Sequence, residues 1–375
     1  MGKREKLKKF GFDLEAYDKA KDYEFDNLVI DVGSSILSFI ALILFLWFGT
    51  KPLFDFLTGT LGNIWLVRIT YVLVFAIGFF LLDLPTSWLG FRVEHKYGLS
   101  NQDSGSWLID EIKGLLISLF LALAGFLLLF WAIEVSRLWW LWSWVAFTFI
   151  SIFIGFISPT VLMPIFYDFR PLEDEGLQER LEDLANRAQL DVLGAFNMEA
   201  SAKTKKAVGA LTGIGSSRRI ILSDTMLENY SEEEIEAVIA HEMGHHKYHD
   251  IWFLIGVQSL FSLLGFYLIS TFIDPLLGFF SLSLNISALP LILVMMEIVM
   301  FLLSPFKNLL SRIRERAADG FSLELVDKPR ALGEALVKLS QQNLGNPAPP
   351  KLVELLFYDH PSGLKRVERA FEYEG

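Results

Sequence analysis

The stretch IWFLIGVQSLFSLLGFYLISTFI, residues 251–273, runs without a charged side chain. About 20 such residues suffice for a helix to cross the hydrocarbon core of a bilayer, where backbone amides must find their partners within the chain. Residues 115–133 (LLISLFLALAGFLLLFWAI) and 138–163 are of the same kind. Three further runs are less clean: about 28–49 contains Asp31, about 64–84 contains Arg68, and about 285–306 contains Glu297. Together they predict six spans and a mainly α, polytopic membrane bundle. Composition agrees: 53% of the 375 residues are hydrophobic and the mean hydropathy is +0.41, too apolar for an ordinary soluble domain.

The chain begins MGKREKLKKF, with basic residues but no apolar core close behind them, so no cleavable signal peptide is expected and the first span reads as a retained anchor. A net charge of −11 argues against nucleic acid as a partner, because an acidic surface repels phosphate. With no cysteine, disulfides and thiolate metal sites are excluded, leaving histidine and carboxylate as metal ligands. Lysine and arginine concentrate before the first span, in 85–114, in 164–250 and after Phe306, while the alternate connections hold few. That asymmetry predicts cytoplasmic termini and cytoplasmic 164–250 and C-terminal segments.

Four spans precede a polar segment, two follow it, and a polar tail runs to residue 375. The natural division is a membrane domain, 1–163, and a second domain, 164–375, that includes the last two spans. NPAPP at 346–350 reads as a turn or short linker. LEDEGLQERLEDLANRAQL has helical spacing, and 206–223 reads as two short strands, KAVGAL and RRIILSD, joined by TGIGSS. The glycines there do not form a dinucleotide fingerprint. Ser231 and Glu234 form a capping box, and the helix it starts has no evident breaker before residue 273, a length of about 60 Å at 1.5 Å per residue.

That helix carries HEMGHHKYHD at 241–250. His241 and His245 are four apart and share a face, with Glu242 beside them: two imidazoles to hold a metal and a carboxylate to take a proton from water. The bland alternative is a capped helix end with solvated histidines, so the metal reading needs a third ligand. The motif lies about eight residues, roughly 12 Å, before the apolar run. A helix continuing from the last span returns to that depth at Glu315, nine residues past Phe306, with Asp319 one turn further. His241, His245 and Glu315 would leave a fourth position open, the pattern of a catalytic zinc site. His246 and His249 point from other faces and read as surface neighbours, and His95 as a structural loop residue. Glu297, inside a span, reads as a cavity-lining or paired carboxylate. The tryptophans at 139, 140, 142 and 144 read as an interfacial belt.

HExxH followed by ExxAD after a helical hairpin resembles the type I CAAX prenyl protease family of integral-membrane zinc metallopeptidases. LPTSWLGFRVEHKYGLSNQ (84–102), RRIILSDTML and HPSGLKRVERA carry the likeness further. The resemblance implies one zinc ion on His241, His245 and Glu315, Glu242 as the base, Asp319 orienting a ligand, and His360 and Arg366 steadying oxyanion and substrate. It also implies an extended peptide substrate on an edge strand, here around Val208, Gly209, Ala210 and Leu211, with valine at a position where the family often has asparagine. Family members typically have seven spans, where six are read here. The function expected is a zinc-dependent membrane endopeptidase acting on lipid-anchored or membrane-embedded peptides near the cytoplasmic face. A quality-control protease without prenyl preference, and a metal-binding transporter or scaffold without hydrolysis, are the alternatives.

Overall fold

Asp13, Asn63 and Asp103 each accept two amide hydrogen bonds from the turn that follows, and each thereby fixes where a long helix begins. The computed structural model describes residues 2–213, 215 and 218–373. In chain order the helices are α1 (Lys3–Lys9), α2 (Leu14–Leu44), α3 (Thr50–Leu61), α4 (Ile64–Lys96), α5 (Ser104–Val135), α6 (Trp139–Ile157), α7 (Met163–Phe166), α8 (Glu175–Ala188), α9 (Asp224–Asn229), α10 (Glu232–Lys247), α11 (Asp250–Phe280), α12 (Leu289–Leu325), α13 (Arg330–Gln342), α14 (Lys351–Phe357) and α15 (Gly363–Phe371). Wide π-helical turns at Phe45–Gly49 and Ser158–Leu162 join α2 to α3 and α6 to α7.

Six helical stretches among the described residues are long and apolar enough to cross a membrane: Leu14–Leu61, Ile64–Lys96, Ser104–Val135, Trp139–Phe166, Asp250–Phe280 and Ile286–Leu325. Every span expected from the apolar runs lies in one of them. Large apolar side chains such as Phe48, Phe120, Phe149 and Phe301 are exposed on these helices, which suits lipid and not water. Between the helices, Leu42, Tyr71, Phe130, Ile269 and Leu289 belong to one packed core. Polar groups inside it are matched: Arg68 pairs with Glu134, and the Thr50 hydroxyl donates to the Ser287 carbonyl at 2.5 Å.

The helices overrun the apolar runs. α4 continues through Pro85 to Lys96, so most of 84–102 is helix and His95 sits in its last turn, its Nδ1 2.9 Å from the Phe91 carbonyl oxygen, rather than in a loop. α2 starts fourteen residues ahead of the expected span because Tyr17, Ala20 and Tyr23 bury one face against the rest of the protein. Leu7, Phe10, Phe12 and Tyr17 pack with Val337, Ala348, Leu364 and Val367, so the basic N-terminal segment is clamped onto the C-terminal tail. Glu297 is exposed and makes no ion pair among the described residues.

The polar segment folds around a four-stranded sheet: β1 (Phe169–Pro171), β2 (Ala195–Met198), β3 (Gly209–Thr212) and β4 (Arg219–Ser223), in the order β1-β2-β4-β3. The expected hairpin is the antiparallel β3–β4 pair, with Gly209 opposite Leu222. β2 adds in parallel to β4 and β1 antiparallel to β2. These two strands are too short for alternation to announce them. β3 is one of the two edge strands and lies on α10, where Gly209 is so close to Val238 and Met226 that a Cβ would approach them to 3.0 and 3.1 Å.

The single helix expected from 232 to 273 is two. α10 ends at Lys247, and His249 turns the chain with φ 58° and ψ 36°, a left-handed conformation that histidine tolerates better than most side chains. Arg314 holds the turn by donating to the Tyr248 carbonyl at 2.5 Å and pairing with the buried carboxylate of Asp250. α12, by contrast, runs unbroken from its membrane span through Glu315. Pro305 cannot donate to the Phe301 carbonyl, but the Ser304 hydroxyl does so at 2.9 Å.

Candidate metal centre

α10 and α12 meet at Gly244 and Ala318. A Cβ on Gly244 would come within 2.9 Å of the Ala318 Cα, so only glycine permits this approach. One helical turn below, the Ser322 hydroxyl donates to the Ala237 carbonyl at 2.7 Å and fixes the register. The consequence is that His241, His245 and Glu315 each present a ligand atom within 4.8 Å of the others.

The separations are informative. Nε2 of His241 and Nε2 of His245 are 3.2 Å apart, Glu315 Oε1 lies 3.2 Å from His245 Nε2, and Glu315 Oε2 lies 3.5 Å from His241 Nε2. Ligands at about 2.0–2.1 Å from an ion and at tetrahedral angles stand about 3.3 Å apart. Glu315 Oε2 is also buried without a hydrogen-bond partner, a state that costs free energy unless something binds there. Donor chemistry, spacing and the orphaned oxygen all fit a divalent metal.

Each imidazole is held from behind. Asp319 Oδ1 is 3.0 Å from His241 Nδ1, and Asp250 Oδ2 is 2.8 Å from His245 Nδ1, so both rings aim Nε2 at Glu315. Burial favours a neutral His245, but Asp250 and Glu315 outweigh it and push its pKa up to about 10. A proton thus binds this carboxylate–imidazole cage strongly, and a divalent ion would replace it. Asp250 is a site residue that sequence reasoning missed. Its only signal was position, five residues after His245, where an unbroken helix would turn it elsewhere.

Glu242 is half-buried and makes no hydrogen bond or ion pair among the described residues, so its carboxylate is free to accept a proton. His360 Nε2 is 3.1 Å from Glu315 Oε1, and its Nδ1 is 2.6 Å from Asp359. Burial opposes charge on this half-exposed ring, but the two carboxylates raise its pKa to about 9, making it a hydrogen-bond donor near neutrality. Arg366, expected to steady oxyanion and substrate, reaches the centre too: its Nε and Nη2 bind Asp319 at 3.0 and 2.7 Å, clamping the carboxylate behind His241, and Nη2 lies 3.8 Å from Glu315 Oε2.

His246 is buried, contrary to the expected surface position. It donates from Nε2 to the Leu211 carbonyl at 2.9 Å and accepts from Arg218 at Nδ1, tying α10 to β3. One outward group of the expected substrate strand is therefore engaged by the protein itself. Val208 is 38% exposed and exchanges hydrogen bonds with Ser223, Ala210 is half-buried, and Leu211 is buried.

A histidine–glutamate cage on a helix that leads into a span, closed by a carboxylate from the next span's extension, defines an integral-membrane metallopeptidase. The chain belongs to peptidase family M48, whose family model matches residues 171–374. A second model, described as "CAAX prenyl protease N-terminal, five membrane helices", matches residues 4–168. In that stretch the described residues have four long apolar helical stretches, the first of them continuing through α3. The chain is 30% identical over 318 residues to CAAX prenyl protease 1 of Saccharomyces cerevisiae, covering 76% of this chain and 68% of the yeast protein. It is 28% identical over 355 residues to an uncharacterized metalloprotease, YhfN, of Bacillus subtilis, covering 93% and 83%. The fold is that of the crystal structure of S. mikatae Ste24p, with a TM-score of 0.81 at 23% identity over 95% of this chain and 88% of the other.

Proposed function

We propose that this membrane metalloprotease is a zinc-dependent endopeptidase that hydrolyses peptide bonds of lipid-anchored or membrane-embedded substrates near the cytoplasmic membrane face, with CAAX-type prenylated peptides as the first class to test. The observation that carries the reading is the cage itself: three ligand atoms within 4.8 Å of one another, both histidines backed by carboxylates, and a free Glu242 next to them. His241, His245 and Glu315 would hold the ion. When bound, zinc polarises the scissile carbonyl and makes water acidic enough to be activated near neutral pH.

The protein's own groups supply the rest. Glu242 takes the proton from the attacking water and later returns it to the leaving amine. His360 donates a hydrogen bond to the oxygen that gains negative charge. Asp319 and Asp250 keep the imidazoles oriented, and Arg366 keeps Asp319 in place. The outer edge of β3 at Gly209, next to the Leu211 carbonyl that His246 occupies, is the natural seat for an extended peptide, which would be read through its backbone. The prenyl class is suggested by the name of the yeast relative, and the cytoplasmic face by the distribution of basic residues.

The test is cleavage of a farnesylated peptide and its unmodified twin by the purified protein with Zn²⁺, against Glu242→Gln. Removing the general base should lower the rate by about 10²–10⁴-fold with zinc content unchanged. Equal rates in wild type and variant would refute the mechanism. Equal cleavage of the two peptides would favour a membrane quality-control protease instead, and bound metal without turnover a scaffold or transporter.

A further inference from the structure

Between α12, α14 and α15 lies a cavity of about 420 Å³, lined by six basic and two acidic side chains. In a chain of net charge −11 this is a local reversal of sign. Four of the cations make hydrogen bonds or ion pairs within the protein. Arg312 donates to the carbonyls of Glu354 and Tyr358 at 3.1 and 2.5 Å, Lys365 pairs with Glu354 at 2.7 Å, and Arg366 clamps Asp319. Arg316, Lys351 and Arg369 have no carboxylate in ion-pair reach among the described residues, and Arg369 donates instead to the backbone carbonyl of Arg316. Unpaired cations converging on one cavity suit an anion.

Position narrows the kind of anion. Asn308 donates to the Leu356 carbonyl at 2.7 Å, and with Arg312 it fastens the end of α14 to α12 only two to six residues beyond Phe306, where the apolar run stops. At 1.5 Å per residue that is roughly 3–9 Å, the depth of a lipid headgroup layer, and Arg316 stands four residues, about 6 Å, further along α12 on the same cavity. Leu352, Leu355 and Leu356 share one face of α14 and are 69%, 50% and 39% exposed. Phe306, Leu309 and Ile313 are exposed on the adjoining helix and follow Phe301 and Leu302, which are exposed on the apolar α12 span. A soluble anion would use the cations but has no use for an apolar face continuous with a membrane span.

We infer that the cavity and the apolar face of α14 together bind an anionic phospholipid of the leaflet on the metal-site side. The phosphate sits among Arg316, Lys351 and Arg369, and the acyl chains lie along Leu352, Leu355 and Phe306. The cavity borders the metal centre through Asp319 and Arg366, but the phosphate contacts use neither, so lipid binding can be tested without assuming the peptide-cleaving reading.

The experiment uses the purified full-length protein in mixed micelles of phosphatidylglycerol and phosphatidylcholine, with retained lipids counted by native mass spectrometry. Wild type should keep phosphatidylglycerol selectively. Neutralising Arg316, Lys351 and Arg369 to glutamine should weaken retention by roughly five-fold per charge, on the order of a hundredfold for all three, with phosphatidylcholine unaffected. Arg316→Lys with Arg369→Lys should keep most of the binding, which separates lost charge from lost folding. Leu352→Ser with Leu355→Ser should also weaken it, although every cation remains. No preference for the anionic lipid in wild type, or unchanged retention in the neutralised variant, would overturn the inference. So would competition by inorganic phosphate at equal concentration, because that defines a free-anion site.

Discussion

Asp250 and Arg366 act on the centre without offering it a ligand atom, and each makes a distinct prediction. Asp250 accepts from His245 and is itself buried and paired with Arg314. Asp250→Asn keeps the shape but loses the charge that raises the basicity of the ring, so zinc affinity should fall by about 10–100-fold. Competition with a chelator of known affinity measures it directly. Arg366→Lys asks whether this residue clamps Asp319 or serves the oxyanion. Lysine cannot reproduce the two-pronged contact. A clamp predicts weaker metal binding with kcat recovered at saturating zinc, whereas an oxyanion donor predicts low kcat at full occupancy. The clustering of His241, His245 and Glu315 could be reasoned from the chain, because imidazoles four apart and a carboxylate at matching depth follow from helix pitch. Asp250 and His246 could not. Their places depend on a left-handed turn at His249 and on the docking of β3 onto α10, neither of which leaves a periodic trace.

At the level of elements, the cage exists because α10 and α12 come unusually close. Gly244→Val should force them apart, since the added atoms meet the Ala318 backbone within 3 Å. Overpacking of this kind costs about 1–3 kcal/mol. The expected result is a protein that stays in the membrane and unfolds at a lower temperature, with metal content reduced out of proportion to that loss. Unchanged zinc stoichiometry would mean that helix spacing does not govern the site. Long elements were the readable ones: apolar runs located all six membrane stretches, and the capping box at Ser231 and Glu234 set the start of α10. The polar extensions of α2 and α4 escaped because hydropathy marks where a helix meets lipid and not where it ends. β1 and β2, three and four residues long, are held by their neighbours more than by their own sequence.

Across the whole molecule, the two chain ends are joined. Leu7, Phe10 and Phe12 bury themselves against Val337, Leu364 and Val367, and Lys6 pairs with Glu368 at 2.8 Å. α15 carries both Val367 and Arg366, so the N-terminal segment supports the element that holds Asp319. Deleting residues 2–12 removes three buried apolar side chains, each contributing about 1.5–3 kcal/mol. The deletion should lower the melting temperature in detergent and loosen zinc. A variant with full metal affinity and unaltered Tm would show that the clasp is dispensable. The unbroken course of α12 has a wider meaning. Glu315 sits on a rod anchored in lipid, whereas His241 and His245 sit beyond the bend at His249 and meet that rod only where Gly244 and Ala237 touch Ala318 and Ser322. Sliding that rod by one residue moves the carboxylate about 1.5 Å relative to the imidazoles, comparable to the length of a coordinate bond. A bilayer too thick or too thin for α12 would therefore pull against the Ser322–Ala237 register, and metal retention measured across bilayers of graded thickness should fall only where that strain breaks it.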